Sequence, residues 1–158
     1  MRFSRPERGA TVVEFAIAAP IFFLLLLGTF EFGRYYYVQH TIQFGTREGT
    51  RLALVGRTLN DENGNPLSRE DSIRRMIRDH VTPAVNPDEV LINIYPVESD
   101  YSDPGGWDQQ SNPGNPGQYM RVRTRYTYRF ITPFVGDFFP GGVNVIQAQS
   151  TYRNELFN

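Results

Sequence analysis

The chain has 158 residues, a formal net charge of −1 and no cysteine. That length suits one domain of ordinary size. The missing cysteines exclude disulfides, thiolate metal sites and a thiol nucleophile, and the near-neutral charge gives no reason to expect a polyanionic partner.

Residues 1–9, MRFSRPERG, set three arginines against one glutamate and form a basic leader. Residues 10–32, ATVVEFAIAAPIFFLLLLGTFEF, are apolar apart from a few small polar residues and two carboxylates, Glu14 near the start and Glu31 near the end. At ~1.5 Å per residue they make a helix of about 34 Å, long enough to span a hydrocarbon core. The run 21–27 is apolar on every face, which suits lipid better than a half-buried soluble helix. Basic residues on its N-terminal side predict a cytoplasmic N-terminus and a C-terminal part across the membrane. A cleaved secretory signal would need small residues at the end of the apolar run, where Phe30 and Phe32 stand instead, so the helix is expected to remain as a single-pass anchor. Pro20 removes one backbone donor, a loss that membrane helices tolerate. Glu14 lies near the membrane edge, where the positive end of the helix dipole offsets part of its charge. It is either an interfacial acid without a partner or one with a cationic partner.

Residues 33–57 read as a continuation of that helix. Val38, Ile42, Gly45, Gly49, Leu52 and Gly56 recur at spacings of four and three, which places them on one face. A glycine in a helix interior costs ~1 kcal/mol relative to alanine. Gly45 and Gly49 therefore predict close packing in that groove, by the protein's own sheet or by a neighbouring subunit. Tyr35, Tyr36 and Tyr37 suit the far membrane interface.

Residues 58–158 form the exported domain. Asp61, Asn63 and Asn65 alternate as in a calcium loop, but Pro66 stands where that loop needs glycine and Ser72 where it needs glutamate, so no metal is expected. Ser68, three residues before Asp71, predicts an N-cap for a helix over 69–81 that buries Ile73, Met76, Ile77 and Val81. EVLINIYPV (89–97) reads as a strand. Residues 99–117 are rich in Asp, Pro, Gly and Asn and predict a flexible loop. It carries the only tryptophan, Trp107, as an adhesive contact or as a side chain folded back onto the sheet. In QYMRVRTRYTYRFI (118–131) Arg121, Arg123, Arg125 and Arg129 alternate with Val122, Thr124, Tyr126, Tyr128 and Phe130, so the four arginines share one strand face. Together with Trp107 they are candidate surface contacts, either solvated or facing an anionic partner. Nucleic acid is not expected, because the basic and aromatic side chains lie on opposite faces and the segment lies outside the cytoplasm. VNVIQAQSTY (143–152) reads as a third strand. The fold class is α+β: a long N-terminal transmembrane helix running into a small domain with a second helix and an antiparallel sheet of about three strands.

The only histidines, His40 and His80, lie far apart, and no phosphate loop, metal-ligand spacing or catalytic constellation is present. No enzyme activity, cofactor or small-molecule substrate is expected.

Arg8-Gly9-Ala10-Thr11-Val12-Val13-Glu14-Phe15 resembles a class III, type IV pilin-like signal: a basic leader, a small residue, four mostly apolar positions and a glutamate at the fifth mature position. With the proline at 20 and the later Thr46-Arg47-Glu48-Gly49-Thr50-Arg51, residues 9 to about 56 resemble the TadE-like family, minor pilins or pseudopilins of the tight-adherence (Tad/Flp) pilus machinery. The resemblance implies a pilin-like fold and cleavage between Gly9 and Ala10 by a prepilin peptidase. It also implies that Glu14 pairs with the new α-amino group of a neighbouring subunit, which makes two charges in an apolar bundle tolerable. The implied partners are the membrane, the peptidase, other pilin subunits and the assembly machinery. The implied place is the bacterial inner membrane, with the C-terminal domain periplasmic or extracellular and possible association with the pilus. The alternative is an unprocessed single-pass anchor that presents a binding or sensor domain.

Overall fold

The computed structural model describes residues 8–156, so all but the last two positions of the leader lie outside the described residues. It divides into two compact units. The first holds the helix up to Arg34 and the connection Arg129–Val143; the second holds Tyr35–Tyr128 and the chain from Asn144 onward.

Helix α1, Arg8–Leu54, runs without interruption through Pro20. In the first unit its apolar side chains, from Val12 to Phe30, are exposed. It is long and apolar enough to cross a membrane. The expected boundary at 57 is corrected to Leu54. Gly56, expected on the packing face, lies past the end of the helix with φ +67°, and its N–H donates to the Ala53 carbonyl at 3.1 Å. A left-handed glycine is a common way to end a helix, because it redirects the chain while satisfying a last-turn carbonyl.

In the connection of the first unit, a single helical turn, α3 (Pro133–Gly136), follows the strand end and is succeeded by a short 3-10 turn at Pro140–Gly142.

In the second unit one face of α1 is buried through Val38, Ile42, Thr46, Gly49 and Ala53. Helix α2, Arg69–Val81, starts at the expected cap: the Ser68 hydroxyl accepts from the Asp71 N–H at 3.0 Å and donates to the Asp71 carboxylate at 2.6 Å. Ile73, Ile77 and Val81 are fully buried, each worth about 1.5–3 kcal/mol relative to exposure. Met76, expected beside them, is only half-buried, and Ser72 takes an interior place by bonding Leu59 N and Ser68 O.

Strands β1 (Leu91–Pro96), β2 (Tyr119–Arg129) and β3 (Val143–Arg153) lie in the order β1-β2-β3. β1 and β2 are antiparallel, with Ile92 opposite Thr124 and Ile94 opposite Val122. β3 runs antiparallel to β2: just before the start of β2 and just past the end of β3, Gly117 N donates to Asn154 O and Asn154 N to Gln118 O. Thr46 and Thr124 share a buried hydroxyl–hydroxyl bond of 2.6 Å, which ties α1 to the inner face of the sheet. The segment 99–117, expected to be flexible, lies across the outer face. It forms a 3-10 turn at Trp107–Gln109, and Asn112 N donates to Ile94 O at 2.7 Å.

Candidate functional site

Gly9, Ala10 and Glu14 all lie in the first turns of α1 and are exposed. A Cβ placed on Gly9 would meet nothing within 4 Å. Glu14 has no ion-pair partner among the described residues. This end of the helix thus presents a small residue and a carboxylate about one helical turn further on, both exposed among the described residues.

The second carboxylate of the span behaves differently. Glu31 is 4% exposed. One oxygen accepts from Arg34 at 3.0 Å; the other accepts from the Ile131 N–H at 3.1 Å, the Thr132 N–H at 2.9 Å and the Thr132 hydroxyl at 2.8 Å. Arg34 also donates to the Arg129 carbonyl at 2.6 Å. Charge-assisted bonds of this kind are about twice as strong as neutral ones. The sequence signals only that a second acid closes the apolar run. Its acceptor role depends on a segment 100 positions away.

Gly45 and Gly49 face α2. A Cβ on Gly49 would lie 2.4 Å from Ile77 Cγ1 and 2.8 Å from Cδ1; one on Gly45 would lie 3.0 Å from Val81 Cγ1 and 3.2 Å from the Ile77 carbonyl oxygen. The close neighbour is therefore the chain's own second helix, where the sheet or another subunit was expected. The surrounding motif divides by face: Thr46, Gly49 and Thr50 point inward, while Arg47 and Arg51 are exposed. Both threonines return their hydroxyls to carbonyls four residues earlier, at 2.7 Å, which satisfies them inside the core.

The strand arginines split into different environments. Arg121 and Arg123, expected as surface contacts, are 8% and 7% exposed. Both donate to Asp103 in the covering segment, Arg123 at 2.8 Å. Arg121 also reaches Thr151 at 2.9 Å, and Arg123 reaches Gln149 at 2.6 Å on β3. Burial tends to raise the Asp103 pKa, but the Tyr95 hydroxyl at 2.9 Å and the two guanidinium groups outweigh it and hold the carboxyl below its ordinary value. The correction has a plain cause: residues 99–117 cover this face and supply the acid. Trp107 is folded back, with the Arg123 guanidinium 4.1 Å and the Arg125 guanidinium 4.9 Å from its ring centre, distances at which a cation is attracted to the ring face. Arg129 keeps an exposed side chain in the first unit.

A polar hub near the end of the chain was not expected. Asn154 is buried; its amide donates to the Pro113 and Asn115 carbonyls, and its oxygen accepts from Arg69 at 2.7 Å. Arg69 also donates to Ala53 O at 3.0 Å, satisfying a carbonyl in the last turn of α1. Among the described residues, no group of three or more His, Cys, Asp or Glu side chains could hold a metal ion.

Residues 9–51 match the family model described as TadE-like protein, the family that the N-terminal motifs resemble. No curated protein and no solved structure matches the chain. The matched segment contains the whole exposed stretch of α1 and the glycine pair that meets α2.

Proposed function

We propose, with the TadE-like match over residues 9–51 as premise, that this membrane-anchored chain is a minor pilin or pseudopilin acting in assembly of a Tad/Flp-type pilus, and so in surface attachment. A prepilin peptidase cuts between Gly9 and Ala10 on the cytoplasmic side of the inner membrane. The helix stays in the bilayer and the C-terminal domain lies on the periplasmic side. On incorporation, Glu14 accepts the α-amino group of Ala10 from a neighbouring subunit.

The observation that carries this reading is the contrast between the two carboxylates of the span. Glu31 is satisfied by four donors of its own unit, whereas Glu14 is exposed among apolar side chains. The cost of a carboxylate is smaller near the membrane edge than at the centre, but in an apolar bundle of helices the charge still needs a partner. A new amino terminus one helical turn away on another copy supplies one without any further residue.

Mass spectrometry of the protein from its native membrane tests the cleavage, with Ala10 expected as the first residue. An intact Met1 in cells with active prepilin peptidase would refute it and favour the unprocessed anchor. Glu14→Ala is expected to be cleaved normally but to fail in assembly. Normal incorporation of that variant would remove the charge-pairing argument.

A further inference from the structure

The connection between β2 and β3, ITPFVGDFFPGG at 131–142, is apolar except for Asp137 and small or turn-forming residues. Ile131, Phe134 and Phe138 are 70%, 51% and 73% exposed. All three belong to the same compact unit as the apolar stretch of α1. Phe134 and Phe138 line an open groove of about 630 Å³ together with Leu24, Gly28 and Phe32 of the helix. Phe134 also lines a second open groove with Pro20, Ile21 and Leu27. From Leu24 to Phe32, the end of the apolar run, is about 12 Å at ~1.5 Å per residue. Whatever surrounds the helix at Leu24 therefore also surrounds Phe134.

Much of the backbone of the connection is satisfied from within its own unit. Hydrocarbon offers nothing to a peptide N–H, so segments there have to satisfy their donors internally. Ile131 and Thr132 give theirs to Glu31. Gly136 N donates to Thr132 O, Phe138 N to Val135 O, Phe139 N to Gly136 O, Gly142 N to Phe139 O and Phe130 N to Gly142 O, all at 2.9–3.2 Å. Pro133 and Pro140 have no donor to satisfy. Arg34 balances the Glu31 charge and takes up the Arg129 carbonyl.

We propose that residues 131–139 form a second membrane contact. This connection enters the lipid leaflet at the C-terminal end of the span, with Ile131, Phe134 and Phe138 against acyl chains and Glu31 as its internal acceptor. The occupant of the groove is lipid, because the groove is continuous with the lipid-facing surface of α1. Asp137 is exposed and has to stay at headgroup level, which limits the depth of entry. The inference rests on α1 crossing a membrane and not on cleavage after Gly9.

The chain has no cysteine, so single spin labels can be placed without background. Full-length Phe134→Cys, Phe138→Cys, Ile17→Cys and Glu62→Cys variants would be labelled and reconstituted in phosphatidylethanolamine–phosphatidylglycerol vesicles. Collision with oxygen would be compared with collision with a water-soluble nickel complex. All four positions are exposed, so the labels do not disturb a core. Ile17 reports the span and Glu62 reports water. Labels at 134 and 138 are expected to behave like the one at 17, with oxygen accessible and nickel excluded. If the label at 17 excludes nickel while those at 134 and 138 match the one at 62, the loop is in water and the proposal fails, with the anchor reading intact. Protection from both reagents at 134 and 138 that disappears on dilution in lipid would assign the groove to a second copy and likewise overturn it.

Discussion

Replacing Gly49 with alanine probes the contact between α1 and α2. The substitution removes the helix-interior cost of glycine, a gain of ~1 kcal/mol. Against that, the new Cβ would lie 2.4 Å from Ile77 Cγ1, 2.8 Å from Cδ1 and 3.3 Å from the Ile73 carbonyl oxygen. Ile77 is fully buried, so its side chain has no solvent to move into. Overpacking of this kind costs about 1–3 kcal/mol, so the gain is cancelled or outweighed and Gly49→Ala falls between wild-type stability and a loss of about 2 kcal/mol. Ile77→Ala alone leaves a cavity worth about 2–5 kcal/mol, but it also clears the space that the added methyl group needs. The double variant is therefore expected to be more stable than the sum of the single effects predicts, by ~1 kcal/mol or more. The assay is denaturant unfolding of the full chain in detergent, followed by emission of Trp107, which packs within the same unit. A Gly49→Ala protein more stable than wild type by the full ~1 kcal/mol of helix propensity, or strict additivity in the double variant, would refute the steric reading of this glycine.

Other outcomes can be checked with the same preparation. Asp103 titrates below its ordinary value in the folded state, so its contribution is complete above the ordinary carboxylate range and is lost as pH falls through the lowered value. Wild type should lose stability in that acid window, and Asp103→Asn should show a flatter profile there. Burial raises the Tyr95 and Tyr152 hydroxyls from 10.0 to about 12, with Asp103 adding to the effect at Tyr95. Stability should therefore fall as pH rises from the unfolded value toward about 12, and phenolate absorbance of the folded protein should show these tyrosines titrating late. Asn154→Ala leaves Arg69 and the Pro113 and Asn115 carbonyls short of a partner and should cost about 1–3 kcal/mol in the unfolding assay. Glu31→Ala should speed hydrogen exchange at the Ile131 and Thr132 amides in lipid; unchanged exchange would show that Glu31 does not hold the connection.

Much of the architecture was legible because it is written in contiguous residues. An apolar run long enough for a bilayer, a serine three residues before an aspartate, and period-two alternation in 118–131 are each local patterns, and they yielded α1, the cap of α2 and β2 to within a few residues. The motifs that resemble the TadE-like family are local too, and they lie within or close to residues 9–51, which match the family model. Partner choice is not local. Arg121 and Arg123 looked like a solvated face until Asp103 and Trp107 came down over them from a segment whose composition suggests only a loop. The glycine spacing predicted close approach, yet only the packed chain decided that α2 fills that groove. Gly56 continued the same periodicity but sits at positive φ and ends the helix. Glu31 is the sharpest case. By itself the sequence determined that an acid lies at the end of a membrane helix. The tertiary structure decided that two backbone N–H groups 100 residues later would serve it, because a buried charge takes its donors from whatever the fold brings near.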